Sequence, residues 1–345
     1  MSKTLNPQTA DSTRDNLVKS YLRLFRDFRR NDLDQFFDEH RRLHDQARQT
    51  GDYIPATRHY YKLMAPVIAT YYGEGWHFCP PEFQGQSRQE ATYRMYRMVA
   101  DKLELQSGRH ALDIGCGVGG MLRFLAKHSG AHVTGITLGA NEVKQAIDAI
   151  ASDGLDGLCR VVEGDSRKMP FDDCTFDSAY AVYALKYYPN LTTVLSEVQR
   201  VLKPGGRLTA YCLCKSKTYR GDDPTHAKVL SDFEFSTAMP SLHTVDGMIA
   251  SAQDAGLRCV EDIDISARDL NWYSYWVGNP FLPWLVKSRL TYGLSRTGEA
   301  VRVLPRGFAR FNDTFLAGTL RHIIQGGQMG ILTGSAMLTF EKPLS

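Results

Sequence analysis

An aspartate followed by a glycine-rich loop is the stretch of this sequence best suited to bind a ligand. Asp113 lies in a short apolar run typical of a buried strand, and Gly115-Cys116-Gly117-Val118-Gly119-Gly120 leads into apolar residues typical of a helix. Glycines permit a tight turn because they lack a Cβ, and the N-terminus of a helix presents free N–H groups. A strand, a glycine turn and a helix therefore predict a cradle for a nucleotide-like ligand.

The position of Asp113 indicates which nucleotide-like ligand fits this loop. The spacing is Asp-x-Gly-x-Gly-x-Gly, whereas the dinucleotide pattern is Gly-x-Gly-x-x-Gly without the acid. A carboxylate here repels a pyrophosphate but attracts a ligand that carries an ammonium group and a sulfonium cation. S-adenosylmethionine carries both, and it is the predicted cofactor. A purely structural turn is the alternative interpretation of the glycines taken alone.

Further candidate ligand groups follow the next two predicted strands. The second strand ends at Thr137 and Leu138, and Glu142 lies one helical turn beyond them, where it can bind ribose hydroxyls. After the third strand, Asp165 can accept a hydrogen bond from an adenine amino group, and Ser166 can assist. Because ligands of parallel sheets bind at the carboxyl ends of the strands, we expect these groups to lie near Asp113.

Alternation of apolar strand patterns with helical patterns predicts an α/β fold with a doubly wound, mostly parallel seven-stranded sheet. Residues Lys203–Gly206 predict a sharp turn before the fifth strand. The predicted strands are at about 110–114, 132–137, 159–164, 176–182, 207–213, 258–265 and 330–340. The predicted core helices are at about 119–129, 139–151, 191–202 and 244–256.

Three segments are predicted along the chain: 1–104, helices and an aromatic flap; 105–266, the cofactor-binding core; and 267–345, a substrate-covering insertion and the last strand. Two helices are expected between about Asp15 and Gln49, the second capped by Asn31. Residues 53–81 are crowded with aromatic side chains and show no helical or strand period. They predict a flap lining a pocket for a bulky apolar substrate, or else an aromatic packing loop.

Composition excludes several other classes of protein. A net charge of +3 on 345 residues is too small to indicate nucleic-acid binding. The seven cysteines form no Cys-x-x-Cys pair, so neither a metal site nor a disulfide framework is expected. No stretch approaches the roughly 20 apolar residues of a membrane span. A cytoplasmic protein is expected, with peripheral association with the endoplasmic reticulum membrane and homo-oligomerisation left open.

Several motifs resemble those of class I S-adenosylmethionine-dependent methyltransferases, and over residues 58–343 the chain is similar to the sterol C-methyltransferases. The resemblance implies a sterol or related lipid substrate and aromatic substrate-binding segments around Tyr72, Trp76 and Phe78 and around Trp272 and Tyr273. It also implies that Tyr180 lies in the strand that enters the active site. The motifs are Asp113–Gly120, Gly164-Asp165, Met169-Pro170-Phe171 and Leu202–Gly206.

The chain departs from side-chain (carbon 24) sterol methyltransferases at the end of the fourth strand. That family continues with Glu-Ala-Thr-Cys-His-Ala-Pro, whereas this chain has Tyr183-Ala184-Leu185-Lys186-Tyr187-Tyr188-Pro189. Loss of the carboxylate thought to manage the carbocation favours a different carbon methylation, and the pattern resembles a nematode branch that methylates carbon 4 of ring A. Tyr183, Lys186 and Tyr187 are then the candidate proton-handling groups, with Glu74 and His77 as further catalytic candidates.

Three alternatives stay open at this point. The first is methylation of the sterol side chain at carbon 24. The second is a methyltransferase of another prenyl or acyl lipid, because Gly135-Ile136-Thr137-Leu138 is also similar to cyclopropane-fatty-acid synthases and tocopherol methyltransferases. The third is a sterol-binding regulator without catalytic activity. The intact Asp113–Gly120 loop argues against the third, because a protein without activity has no need of a cofactor site.

Overall fold

The computed structural model describes residues 28, 32–72, 77–83, 85–267, 273 and 290–344. In that part of the chain, seven strands form one sheet in the order β3-β2-β1-β4-β5-β7-β6, which confirms the predicted doubly wound fold. The strands are β1 (His110–Ile114), β2 (His132–Thr137), β3 (Cys159–Glu163), β4 (Phe176–Val182), β5 (Leu202–Lys215), β6 (Arg258–Asp264) and β7 (Leu332–Glu341).

Helices lie before, between and after the strands along the chain. A π-helical turn at Asn312–Leu316 separates the last two helices. No helix in the described ranges is both long enough and apolar enough to cross a bilayer. The helices are α1 (Leu33–Thr50), α2 (Ile54–Tyr72), α3 (Arg88–Lys102), α4 (Gly120–Ser129), α5 (Ala140–Ser152), α6 (Leu191–Val201), α7 (Pro224–Ser236), α8 (Val245–Asp254), α9 (Leu290–Ala300), α10 (Phe308–Phe311) and α11 (Ala317–Gln328).

Each face of the sheet is covered by helices, because successive strand residues point to opposite faces. Leu112 and Ile114 of β1 belong to the core that includes buried residues of α6 and α8. Ala111 belongs to the opposite core, which includes buried residues of α3, α4 and α5. Replacing a fully buried leucine such as Leu112 with alanine typically costs about 2–5 kcal/mol. Burial on both faces fixes the strand register and with it the positions of the strand ends.

Strand β7 is antiparallel to its neighbours β5 and β6, whereas β1 to β5 are parallel. Lys215, at the end of β5, pairs with Leu332, at the start of β7. The first residues of β7 therefore lie at the edge where the parallel strands end, which is the edge that binds ligands in such sheets.

The chain divides into two compact units. One comprises residues 1–76, 236–238 and 281–321; the other comprises residues 77–235, 239–280 and 322–345 and contains the whole sheet. The three segments predicted from the sequence divide the chain at other positions. The residues of the candidate site described below all belong to the unit that contains the sheet.

The aromatic segment 53–81 is helical over most of its length, so the prediction that it lacks a helical period is wrong. Helix α2 covers Ile54–Tyr72. Pro55 lies in its first turn, where a backbone N–H has no helical partner to lose. The abundance of tyrosine obscured an apolar stripe with helical spacing, whose buried members are Ala56, Tyr60, Leu63, Met64 and Val67.

Two smaller predictions also need correction. Residues Lys203–Gly206 lie inside β5 as an irregularity of its pairing with β4, rather than in a turn before the strand. Gly205 N donates to Lys342 O at 2.9 Å, and this bond to the chain after β7 keeps the segment in the sheet. The cap of α1 is Asp32, not Asn31; its carboxylate accepts a hydrogen bond from Gln35 N at 3.0 Å. Apart from Phe28, the earlier predicted helix lies outside the described residues.

Candidate active site

The glycine loop between β1 and α4 takes a conformation that only glycine adopts without strain. Gly115, Gly117 and Gly119 have φ values of 74°, 53° and 73°. A Cβ on Gly115 would lie 2.6 Å from the Ala184 Cβ, so the loop packs directly against the segment that follows β4. The first N–H groups of α4 receive no side-chain cap, because Gly119 is the cap residue. They remain available to a ligand.

Asp113 is a buried acid at the end of β1, with 4% of its surface exposed. Burial raises the pKa of its carboxyl group to about 7, although a hydrogen bond from the Tyr180 hydroxyl at 3.0 Å opposes the shift. Asp113 and Tyr180 are register partners on β1 and β4, which is why the two side chains meet. A buried carboxyl group beside a loop with free N–H groups fits a ligand with an ammonium group.

The tip of β2 carries the second predicted cofactor group. The Thr137 hydroxyl donates to Glu142 Oε2 at 2.6 Å, so the Glu142 side chain folds back toward the end of the strand. A Cβ on Gly139 would lie 2.8 Å from the same carboxylate oxygen, and glycine there leaves room for it. The structure thus brings Glu142 to the tip of β2, beside the half-buried Leu138.

The carboxylate of Asp165, after β3, is already bound within the protein. Arg167 donates to it through Nε, through its terminal nitrogen at 2.7 Å and through its backbone N–H, and these bonds lower the pKa of Asp165. The adjacent Ser166 is buried and interacts with the Tyr188 phenol. Asp165 therefore lies at the predicted strand end, but a ligand amino group would share its oxygens with Arg167.

His77 is a buried, neutral imidazole. Burial and the nearby positive charge of Lys186 lower its pKa to about 3. Its Nδ1 lies 2.8 Å from the hydroxyl of Tyr96, a residue of α3 that the sequence analysis did not single out. Burial raises the pKa of Tyr96, so its phenol keeps its proton. The imidazole tautomer decides which of the two groups donates in this bond, and when the phenol donates to Nδ1, the histidine proton lies on Nε2.

Tyr183 takes a strained conformation immediately after β4, with φ at 57°. Its hydroxyl lies 2.5 Å from Gly334 O at the start of β7 and 3.1 Å from Phe78 O, and burial raises its pKa well above the ordinary value. One phenolic proton cannot satisfy both carbonyls and a substrate as well. The contacts therefore make Tyr183 a tether between two backbone segments, whereas the sequence suggested a proton-handling group.

Lys186 is held between two aromatic rings on the short 3₁₀ turn Leu185–Tyr187. Its ammonium nitrogen lies 5.2 Å from the ring centre of Tyr183 and 5.1 Å from that of Tyr187. Cation–π contacts stabilise the charge, but burial is stronger and lowers the pKa to about 8. About a tenth of the amine is therefore unprotonated at pH 7, and about half at pH 8, and that fraction can accept a proton.

An apolar cluster lies beside these groups at the carboxyl ends of β4 and β5. Phe78 is buried in it, and Tyr183, Tyr187 and Tyr273 pack against it. A Cβ on Gly327 would lie 2.2 Å from the Tyr273 ring, so glycine allows that ring to approach α11. Of the other predicted substrate or catalytic residues, Glu74, Trp76, Trp272 and the side chain of Tyr72 lie outside the described part of the chain. The buried members of the cluster are Phe78, Leu213, Val229, Leu230, Phe233, Met239, Leu242, Ile323, Ile331 and Leu332.

Comparison with known proteins agrees with this geometry. Residues 112–210 match the family described as a methyltransferase domain. The chain is 42% identical to sterol 4-C-methyltransferase strm-1 of Caenorhabditis elegans, over 95% of this chain and 98% of that protein. It is 34% identical to 24-methylenesterol C-methyltransferase 2 of Oryza sativa subsp. japonica, over 83% and 77%. In fold it is similar to geranyl diphosphate C-methyltransferase of Streptomyces coelicolor, solved with S-adenosyl-L-homocysteine, with a TM-score of 0.58, 17% identity and coverage of 77% and 90%.

The sheet order, the glycine cradle and the buried acid at its start, together with the matched domain, define an S-adenosylmethionine-dependent methyltransferase. S-adenosylmethionine is its cofactor, as the sequence predicted. Within that class, the similarity to sterol 4-C-methyltransferase strm-1 covers almost the whole of both chains, so it is more specific than the match to the methyltransferase domain. The chain belongs to the family of sterol C-methyltransferases.

Proposed function

We propose that this protein transfers a methyl group from S-adenosylmethionine to carbon 4 of a sterol that carries oxygen at carbon 3. The observation that carries the proposal is Lys186, a half-buried amine with a pKa lowered to about 8, on the turn that follows β4. That turn follows Ala184, which packs on Gly115 of the cofactor loop. A relative with 42% identity carries the name sterol 4-C-methyltransferase, which supports the same position.

The cofactor cradle holds its ligand through groups of opposite charge and free N–H donors. Asp113 binds the ammonium group as a carboxylate, Glu142 accepts from the ribose hydroxyls, and the first turn of α4 supplies N–H donors. When bound, the cofactor supplies an electrophilic methyl group on a positively charged sulfur. Glycine at positions 115 and 135 keeps the cradle open, since a Cβ at either would lie 2.6 Å from a neighbouring atom.

Carbon 4 becomes a nucleophile only when it loses a proton next to a carbonyl at carbon 3. The neutral amine of Lys186 accepts the carbon 4 proton, and the electron pair of the C–H bond moves to the 3-oxygen as an enolate. The bond between carbon 4 and the methyl carbon then forms as the sulfur–methyl bond breaks. Lys186, now an ammonium group, returns its proton to solvent. General base catalysis of this kind contributes roughly 10²–10⁴-fold to a rate.

A developing negative charge on the 3-oxygen needs a donor that does not itself lose its proton. His77 meets this requirement in the tautomer that accepts the Tyr96 proton at Nδ1, because the imidazole is neutral and then carries its own proton on Nε2. A neutral imidazole whose tautomer is fixed by a neighbour is a hydrogen-bond donor for an enolate oxygen. The charge of Lys186 lowers the pKa of His77, so the two groups lie within electrostatic range of each other.

Methylation of a side-chain alkene at carbon 24 places a different demand on the site. It produces a carbocation, which needs a carboxylate or another electron-rich group to accept a proton. Tyr183 occupies the position of the family's acid, but its hydroxyl contacts Gly334 O and Phe78 O and its pKa is raised. A lysine nearby also disfavours a cationic intermediate by charge repulsion.

The test is product analysis with isotopically labelled methyl donor and a sterol pool that includes 3-keto forms. We expect label on ring A, and activity of the wild-type protein that rises with pH up to about 8, where Lys186 loses its proton. Lys186→Met should lower kcat by at least 10²-fold, and Lys186→Arg should not restore it, since arginine does not deprotonate.

Lys144→Met is the matched control, because Lys144 is exposed on α5 and pairs with Asp148. It should keep wild-type activity. Label on the sterol side chain would refute the position at carbon 4, and full activity of Lys186→Arg would refute the role of the amine as a base. Transfer to other lipids but to no sterol in the pool would refute the substrate class.

A further inference from the structure

Four of the ten large hydrophobic side chains that are exposed in the described residues lie between positions 292 and 303. Leu294, Val301 and Val303 are 60%, 63% and 62% exposed, and Tyr292 is also exposed. Single exposed apolar residues are common on protein surfaces, but a concentration of them marks an interaction site.

The end of α9 explains why these side chains face outward. Leu294 and Val301 are seven residues apart and so lie on the same side of the helix. The helix stops at Arg302, whose φ of 60° turns the chain, and Val303 N donates to Gly298 O at 2.9 Å. This turn is the usual way in which a helix ends on a left-handed residue, and glycine normally occupies that position.

Gly298 determines which side of the turned chain is buried. A Cβ there would lie 2.7 Å from the Leu304 Cδ1 atom, so Leu304 packs onto the helix at that point. Val303, the preceding residue, then points away from the helix into solvent. The arrangement is built by the local sequence and does not result from a frayed helix end.

Arginines accompany the exposed apolar side chains. Arg296 and Arg302 are exposed, and neither forms an ion pair with any residue that the structure describes. The one acid between them in sequence, Glu299, is used inside the fold, where it accepts a hydrogen bond from Ala309 N at 2.7 Å.

Two acids of α1 are paired with other arginines. Asp34 of α1 pairs with Arg306 at 3.6 Å, and Asp38 pairs with Arg310 at 3.1 Å. The positive charge that remains next to the exposed valines is that of Arg296 and Arg302. Arg302 also carries the cost of a left-handed conformation, which a glycine would avoid. An arginine at that position is consistent with selection for its charge.

We infer that this α9 surface docks the protein on an anionic lipid membrane. It consists of Tyr292, Leu294, Arg296, Val301, Arg302 and Val303. Short aliphatic side chains bury into the boundary between headgroups and acyl chains, while the arginines bind lipid phosphate and carboxylate groups. A substrate that partitions into membranes gives such docking a purpose, but lipid binding does not depend on methyl transfer.

The test is sedimentation of the full-length protein with vesicles of phosphatidylcholine, with and without phosphatidylserine, and with neither sterol nor cofactor. We expect binding to the anionic vesicles that weakens as salt is raised. Val301→Ser combined with Val303→Ser should weaken it about a hundredfold, because removing each aliphatic side chain from an apolar phase costs roughly a factor of ten. Arg302→Gly should weaken it about fivefold, the effect of one basic residue at such a surface.

Arg302→Gly also separates docking from folding, since glycine relieves the left-handed conformation and should leave the protein at least as stable. Ile147→Ser and Arg97→Ala are the matched controls, because both residues are exposed elsewhere on the protein, and both variants should bind as the wild type does. Absence of vesicle binding, or equal losses in variants and controls, would overturn the inference. If the valine variant instead converts an oligomer into a monomer without vesicles, the surface binds a second copy of the chain and membrane docking is wrong.

Discussion

Asp113 makes the cofactor site a source of instability that ligand binding relieves. Burial raises the pKa of its carboxyl group from 3.8 to about 7. A shift of that size corresponds to roughly 4 kcal/mol of unfavourable free energy for the charged form in the folded protein, at about 1.4 kcal/mol per pKa unit. The unfolded chain ionises near pH 4 and the folded chain only near pH 7. Between those values the unfolded state has lost the proton that the folded state keeps, so the stability of the ligand-free protein falls as pH rises.

The variant Asp113→Asn tests this directly. Asparagine keeps an oxygen that can accept from the Tyr180 hydroxyl but cannot ionise. Below about pH 4 the two proteins should differ little, because Asp113 is then protonated in both the folded and the unfolded state. At pH 8 the variant should be more stable than the wild type by up to about 4 kcal/mol, measured by urea unfolding without cofactor. Calorimetry should show that the same variant has lost most of its affinity for S-adenosylmethionine.

Cofactor binding by the wild type should show the reverse dependence on pH. The cofactor's ammonium group selects the ionised carboxylate, so affinity should fall about tenfold for each pH unit below 7. Asp165→Asn is a control whose effect on stability should have the opposite sign. The bonds from Arg167 lower the pKa of Asp165, so the charged carboxylate stabilises the folded protein and its removal should destabilise it. Wild-type stability that does not fall between pH 5 and 8 relative to Asp113→Asn, or wild-type cofactor affinity in that variant, would refute the reasoning.

Two further predictions concern the neighbours of the reacting groups. Tyr96→Phe removes the hydrogen-bond partner of His77 Nδ1 and with it the constraint on the imidazole tautomer. The kcat should fall about tenfold with cofactor affinity unchanged, and an unchanged kcat would assign Tyr96 to packing alone. Gly115→Ala should abolish cofactor binding in equilibrium dialysis, because its Cβ would meet Ala184 at 2.6 Å and φ is 74°. Gly154→Ala is the control: its φ is also positive, 66°, but nothing lies within 4 Å of its Cβ, so it should lose some stability and retain cofactor binding.

The cofactor-binding part of the site could be predicted because the residues that indicate the cofactor lie next to one another in the sequence. Asp113, near the end of β1, and the glycine loop that follows it are neighbours in sequence and together indicate the ligand. The order of the strands brings Glu142 and Asp165 to the same edge of the sheet. The bond between Asp165 and Arg167, only two residues apart, could also have been anticipated from their charges. The prediction of Asp165 as an acceptor for the adenine amino group did not take this neighbouring arginine into account.

The proton-handling side depends on contacts between residues far apart in sequence. Tyr183 is tethered to a carbonyl 151 residues later in the chain, and no pattern around Tyr183 indicates that acceptor. Tyr96 follows the helical pattern of α3, which hides its hydroxyl bond to His77. The pKa values of Lys186 and His77 likewise follow from burial, which depends on packing as a whole. The sequence indicated the candidate residues, whereas the contacts that hold Tyr183 and the burial of Lys186 could be seen only in the fold.

The position of β7 in the sheet determines when this site can form during synthesis. Among the residues that the structure describes, β6 pairs with β7 alone, and β7 follows it by more than sixty residues, so this pairing has to wait until the intervening chain has been made. Tyr183 likewise has to wait for the Gly334 carbonyl before its hydroxyl is held. The residues of the glycine loop and β4 are therefore made well before the carbonyl that holds Tyr183. The turn after β4 can reach its final arrangement only once β7 has been synthesised and has joined the sheet.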